Sequence, residues 1–246
     1  MEEKEEFEGE LNYIDPSRLI KEDKVEKFND FFLTLAVVFN DLKDLDFFEQ
    51  LVIGKYRKPP FEERTVHSGE FGGILTHTRK IFISNLREFF EFLKENKEII
   101  YSAEFKDVLS KTNRDIEQRW NNIVDIALNN ETTNIKDFTQ YLIEVRNNAA
   151  FHYYQPGGLR KAFCNFFYKK DKIKQNELAY YYIGENTATT RFFYADAAVQ
   201  EYLRSTGKEN AHEFNYKYNK EIGSILGDIT ITILRLLKAY LKNRPK

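Results

Sequence analysis

Apolar residues return at helical spacing along most of this chain. From Val25 onward, Phe28, Phe31, Phe32, Leu35, Val38, Phe39 and Leu42 recur every three or four residues, the interval that lines up side chains on one face of an α-helix. The pattern predicts a long helix that ends or bends before Gly54, with "KPP" at 58–60 marking a loop. Just upstream, Asp15 stands as a cap with Pro16 at the first helical position. A second long helix is predicted from about 73 to 96, carrying Ile74, Ile81, Leu86, Phe89, Phe90 and Leu93. Shorter helical patterns cover 103–109 and 115–128, the latter holding Trp120.

The next segment has the cleanest stripe. Asn134 can cap it, and Asp137 suits the positive end of a helix. Ile135, Phe138, Leu142, Val145 and Ala149 step by three and four, a seam for packing against other helices, and His152 continues the stepping. Pro156, Gly157 and Gly158 stop it. A further helix is predicted over 159–170. Between 177 and 194 the character changes: Tyr, Thr and Phe cluster on both sides of "GEN", which predicts a small β-hairpin. A helix over 197–205 closes at Gly207, and one or two more helices finish the chain. The predicted fold class is mainly α, a helical bundle with a hairpin insertion near 177–194.

Composition refines this picture. Hydrophobic residues make up 42% of the 246 positions and charged residues 31%, so a folded core is expected. With 22 Phe and 15 Tyr, ring packing should dominate that core. The opening "MEEKEEFEGE" reads as an acidic flexible tail over 1–14, without the positive start and apolar run of a secretion signal. Residues 15–246 read as one helical domain, with no repeat and no flexible linker. Cys164 has no second cysteine to pair with, which points to a reducing, cytoplasmic setting. The apolar stretch 222–241 contains Asp228, Arg235 and Lys238, charges that suit a buried terminal helix and not a membrane span. A net charge of −2 argues against a surface that is basic everywhere.

The chemistry concentrates at the end of the seam helix. There "EVRNNAAFHYY" places Arg146, Asn147 and His152 just before the Pro-Gly-Gly stop. Arg, a polar residue, a short spacer and His, following an amphipathic helix, resemble the motif of the HEPN superfamily (higher eukaryotes and prokaryotes nucleotide-binding domain). The resemblance covers about 25–170 and does not extend to the hairpin or the C-terminal helices. It implies a helical bundle and, in many members, a metal-independent ribonuclease of toxin–antitoxin or antiviral systems. Other members are inactive or only bind nucleotides. In the branch paired with minimal nucleotidyltransferases, a tyrosine placed like Tyr154 is AMPylated by the partner. That branch has one residue fewer between Arg and His than stands here.

The residue types fit RNA cleavage through the internal 2′-hydroxyl. Histidine titrates near neutrality and can move either proton that the reaction requires. Arginine's planar fork can hold the phosphate and offset the charge that builds on it. Asn147 can orient the histidine or contact the phosphate. Such a scheme calls for no metal and no cofactor. On an ideal helix, six residues leave Arg146 and His152 about 120° apart and about 9 Å displaced, so one chain makes a poor dyad. The resemblance implies a homodimer that brings two motifs into one cleft.

Directly after the motif, Arg160, Lys161, Lys169, Lys170, Lys172 and Lys174 stand against Asp171 alone, a charge pattern that suits an RNA backbone. Phe163, Phe166 and Phe167 lie among them, spaced first for a core and second for base stacking. His67, Glu70 and His77 match no zinc motif, and Gly69, Gly72 and Gly73 shape a loop or open a phosphate site. Cys164 reads as a small buried residue. Three function classes remain open: a HEPN-type endoribonuclease with RNA as substrate and an antitoxin or nucleotidyltransferase as partner; a non-catalytic nucleotide- or RNA-binding module; and a helical dimerisation scaffold. The structural alternatives are a hydrogen-bonded core His152, an Arg146 that offsets the helix C-terminus, and a Tyr154 that only packs.

Overall fold

The computed structural model describes residues 16–20, 25–56, 66–129, 138–146, 157–168, 181, 183, 192–206 and 211–242. Among these the regular elements are all helical. In chain order they are α1 (Pro16–Leu19), α2 (Lys27–Tyr56), α3 (Val66–Glu95), α4 (Lys97–Ile100), α5 (Ala103–Ser110) and α6 (Arg114–Asn129). There follow α7 (Phe138–Val145), α8 (Gly157–Tyr168), α9 (Phe193–Thr206) and α10 (Ala211–Lys242). The mainly helical class predicted from periodicity is the class observed.

Local chemistry sets several helix ends. The Ser102 side chain accepts a hydrogen bond from the Phe105 backbone N–H at 3.1 Å and starts α5. Asn113 does the same for Ile116 at 2.9 Å, and Asp115 and Glu117 add negative charge to the first turn of α6. Both long N-terminal helices overrun their predicted limits. The first continues through Gly54 to Tyr56; a Cβ added at Gly54 would meet nothing, so an exposed glycine there only weakens the helix. The second begins at Val66, seven positions before its predicted start, because Gly69, Gly72 and Gly73 are absorbed into the helix and do not break it.

The long helices α2, α3 and α10, of 30, 30 and 32 residues, frame the molecule. α2 and α10 run antiparallel. Tyr240 near the end of α10 lies against Phe32 near the start of α2, with ring centroids 4.0 Å apart and planes nearly parallel. The Tyr240 hydroxyl donates to Asn29 Oδ1 at 3.0 Å in a buried setting. At the other end, Ile222 and Gly223 share a cavity wall with Asp46 and Glu49. Aromatic rings fill the space within: Phe31 stacks on Phe92 and meets Phe105 edge-on, and Phe105 packs on Trp120 at 5.0 Å. An ion pair between Arg119 and Asp228 ties α6 to α10. One hydrophobic cluster draws side chains from α2 through α7, α9 and α10. α8 stays outside it and packs chiefly on α9.

The predicted hairpin at 177–194 is not supported. Most of it lies outside the described residues, and Tyr181, Ile183 and Phe192 are not in strands. Phe193 and Tyr194, expected to end a strand, open α9 instead. The aromatic run has strand-like composition, but Ala197, Ala198 and Glu201 that follow turn one helical face toward the bundle, and burial of that face wins over local propensity. Tyr181 and Phe192 still pack together, with centroids 6.2 Å apart. No described helix is long and apolar enough to cross a membrane.

Candidate functional site

The site predicted from sequence begins where α7 ends. Phe138, Tyr141, Leu142 and Val145 are all buried, so α7 turns its whole apolar face onto the core. α3 is its main neighbour. An eight-residue helix has little stability of its own; this burial holds it. Arg146 follows directly and leaves the apolar seam, with its side chain 39% exposed. It forms an ion pair with Glu88 of α3 at 2.9 Å, and Glu88 is itself 63% exposed. The pair thus sits at the surface, where water competes for both partners.

Asn147, His152 and Tyr154 lie outside the described residues, as do Lys169, Lys170, Lys172 and Lys174. Of the basic run, Arg160 and Lys161 stand exposed on α8, while Ala162 and Phe167 on the same helix are buried. The rings of Phe163 and Phe167 pack tilted at 4.5 Å and those of Phe166 and Phe167 edge-on at 4.8 Å, so these aromatics pack on one another. Cys164 is half-buried between them in sequence.

α9 closes the other side. The Tyr202 hydroxyl donates to the Glu144 backbone carbonyl, at the long distance of 3.5 Å, just ahead of Arg146 in the chain. The neighbouring Glu201 is only 5% exposed, and burial pushes its carboxyl up to about 7. Gln200 donates to the Thr76 hydroxyl at 3.4 Å, which links α9 to α3.

Sequence reasoning missed the charged side chains that α3 carries inward. Lys80 is buried beside a cavity of about 430 Å³ that Phe48, Ile74, His77, Asp196 and Val199 also line. Burial lowers the pKa of its ammonium, partly offset by the charge of Asp196. Arg79, its neighbour, is likewise held below the ordinary arginine value by burial, against the opposing pull of Glu49 and Tyr141. A signal for Arg79 exists in the sequence: it falls in phase with Phe82, Leu86, Phe90 and Leu93, so it occupies a core-facing position. Glu88 gave no such signal, because it belongs to the solvent face of its own helix.

Among the described residues no group of three or more His, Cys, Asp or Glu side chains could hold a metal ion. His77 and Glu70 are both carried on α3. No protein-family model matches the chain, and no curated protein or solved structure gives a significant match.

Proposed function

We propose that this chain is a metal-independent endoribonuclease of HEPN type, a toxin or antiviral effector acting as a homodimer. The observation that carries the reading is Arg146. It is the first residue of "RNNAAFH", and it stands half-exposed directly after Val145, the last residue of the apolar-faced α7. A guanidinium there can reach a phosphate, and the exposed Arg160 and Lys161 of the next helix add positive charge. In the proposed reaction His152 takes the proton from the 2′-hydroxyl or supplies one to the departing 5′-oxygen. The 2′-oxygen attacks the phosphorus, the P–O5′ bond breaks, and a 2′,3′-cyclic phosphate forms. Arg146 stabilises the charge on the phosphate oxygens, and Asn147 orients the histidine. Lys169, Lys170 and Lys172 extend the backbone track. Tyr154 is the proposed modification position for a nucleotidyltransferase partner.

The test is purified protein on labelled RNA in EDTA. Cleavage is expected to leave a cyclic phosphate, to spare DNA and RNA with a 2′-deoxy group at the cut, and to fall on the order of 10²–10⁴-fold in His152→Ala. Equal cleavage by wild type and His152→Ala would remove the assignment.

One observation favours a second reading, a non-catalytic RNA-binding module or scaffold. The 2.9 Å pair with Glu88 of α3 already engages the Arg146 guanidinium within the chain. Salt-sensitive RNA binding with no cleavage product would select that reading.

A further inference from the structure

A cavity of about 540 Å³ opens between α2, α3 and α10. This is the size range of sites for small molecules. Phe39 and Leu42 of α2, Phe82 of α3, and Ile222 and Leu226 of α10 give it apolar walls. Into this hollow α3 directs Arg79, while α2 supplies Asp46 and Glu49, which lie three positions apart on the same side of the helix. Arg79 and Glu49 feel each other's charge across the space. Among the described residues they do not close into an ion pair, and Arg79 donates no hydrogen bond. Lys43, the other cation at the rim, is engaged by Asp44 at 2.8 Å. An unpaired guanidinium beside apolar walls is costly, and it is the kind of group that fixes a ligand's orientation.

The α10 wall leaves room for such a ligand. Gly223 and Gly227 stand one turn apart on it, and a Cβ added at either would meet nothing within 4 Å. Packing against the described residues therefore does not call for glycine at either position, although each costs about 0.5–1 kcal/mol in a helix relative to alanine.

The charge pattern selects the occupant. A simple carboxylate would satisfy Arg79 but face two acids. A simple amine would satisfy the acids but face Arg79. A molecule carrying both groups on one carbon meets all three. We infer that this cavity binds a large apolar α-amino acid, with its carboxylate on Arg79, its ammonium between Asp46 and Glu49, and its side chain against Phe39, Leu42 and Phe82. The burial that raises the Glu49 carboxyl is then offset by the ligand's positive charge. This site is separate from Arg146 and does not depend on RNA cleavage.

Calorimetric titration of the full chain with L-tryptophan, indole-3-propionate and tryptamine tests the inference, since the three share one ring system and differ in charge. Saturable binding of tryptophan is expected, with both analogues at least about tenfold weaker. Arg79→Met should abolish tryptophan binding, and Glu49→Gln should narrow the gap between tryptophan and indole-3-propionate. Gly227→Leu fills open space and better suits a helix; it should keep the circular dichroism of the wild type and lose the ligand. The inference is overturned if tryptophan shows no saturation, if indole-3-propionate binds as well as tryptophan, or if Gly227→Leu binds normally. It also falls if tryptophan fails to bind while Gly227→Leu dissolves a dimer, which would give the cavity to a second copy of the chain.

Discussion

Two hydroxyls on the last helix show how differently a buried polar atom can act. Tyr240 is 3% exposed and donates to Asn29 at 3.0 Å, while Thr232 is fully buried and its hydroxyl has no hydrogen-bond partner among the described residues. Leaving a buried hydroxyl unmet costs about 1–3 kcal/mol, whereas a satisfied one contributes about 1 kcal/mol. Thr232→Val keeps the shape and removes the unmet group, so the urea midpoint should rise by the equivalent of about 1 kcal/mol. Tyr240→Phe should lower it by about 1 kcal/mol, because this buried hydrogen bond to Asn29 Oδ1 would be lost. Glu201 makes the corresponding case for charge. Its folded carboxyl titrates at about 7 against an ordinary value of 4.5. Below pH 4.5 the carboxyl is protonated whether the chain is folded or unfolded. As pH rises from there to about 7, the unfolded chain ionises and the folded one resists, so this group removes stability across that window and no more above it. The loss has an upper bound of about 3 kcal/mol. Glu201→Gln should flatten the fall in urea midpoint between pH 5 and pH 8; an unchanged slope would show that Glu201 is not the group responsible.

At the scale of elements, α7 is the one on which the functional reading turns. Its apolar face supplies its stability, and the exposed Arg146–Glu88 pair adds little, about 0–1 kcal/mol. Glu88→Gln should therefore barely move the melting temperature. On the ribonuclease reading it removes the carboxylate that competes with phosphate for Arg146, so RNA affinity should tighten about two- to threefold in a filter-binding assay, a change well under 1 kcal/mol. A drop in cleavage as deep as that of Arg146→Ala would make Glu88 a positioning residue instead. The stripe Phe138, Leu142, Val145 was legible in the sequence because burial on one face imposes a period that needs no knowledge of neighbours. The ends of α2 and α3 were not, since glycine's local preference for breaks is small against the packing of a 30-residue helix. Phe193 and Tyr194, expected to end a strand, open α9 for the same reason: aromatic composition is a local cue, and the buried face of α9 is a tertiary one. Arg79 and Glu49 come together only through the crossing of α2 and α3, which no short-range pattern encodes.

For the whole molecule, the question is whether one chain holds a complete site. On an ideal helix Arg146 and His152 diverge by about 120° and stand about 9 Å apart along the axis, too far to act on one phosphate from a single motif. A twofold axis beside the motif helices would let an arginine of one protomer serve a histidine of the other. Mixing tests this directly. Arg146→Ala and His152→Ala should each be inactive as pure homodimers, yet co-refolded in equal amounts they should regain part of the wild-type cleavage. In the mixed dimer one intact arginine and one intact histidine remain, on different chains. Random pairing makes about half the dimers mixed, with one of two sites restored, so recovery should approach about a quarter of the wild-type rate, subject to the non-additivity of catalytic groups. Light scattering must show that the mixture is dimeric at the assay concentration. A dimeric mixture with no recovered cleavage, measured on the same RNA in EDTA, would place both groups in one chain and end the shared-site account.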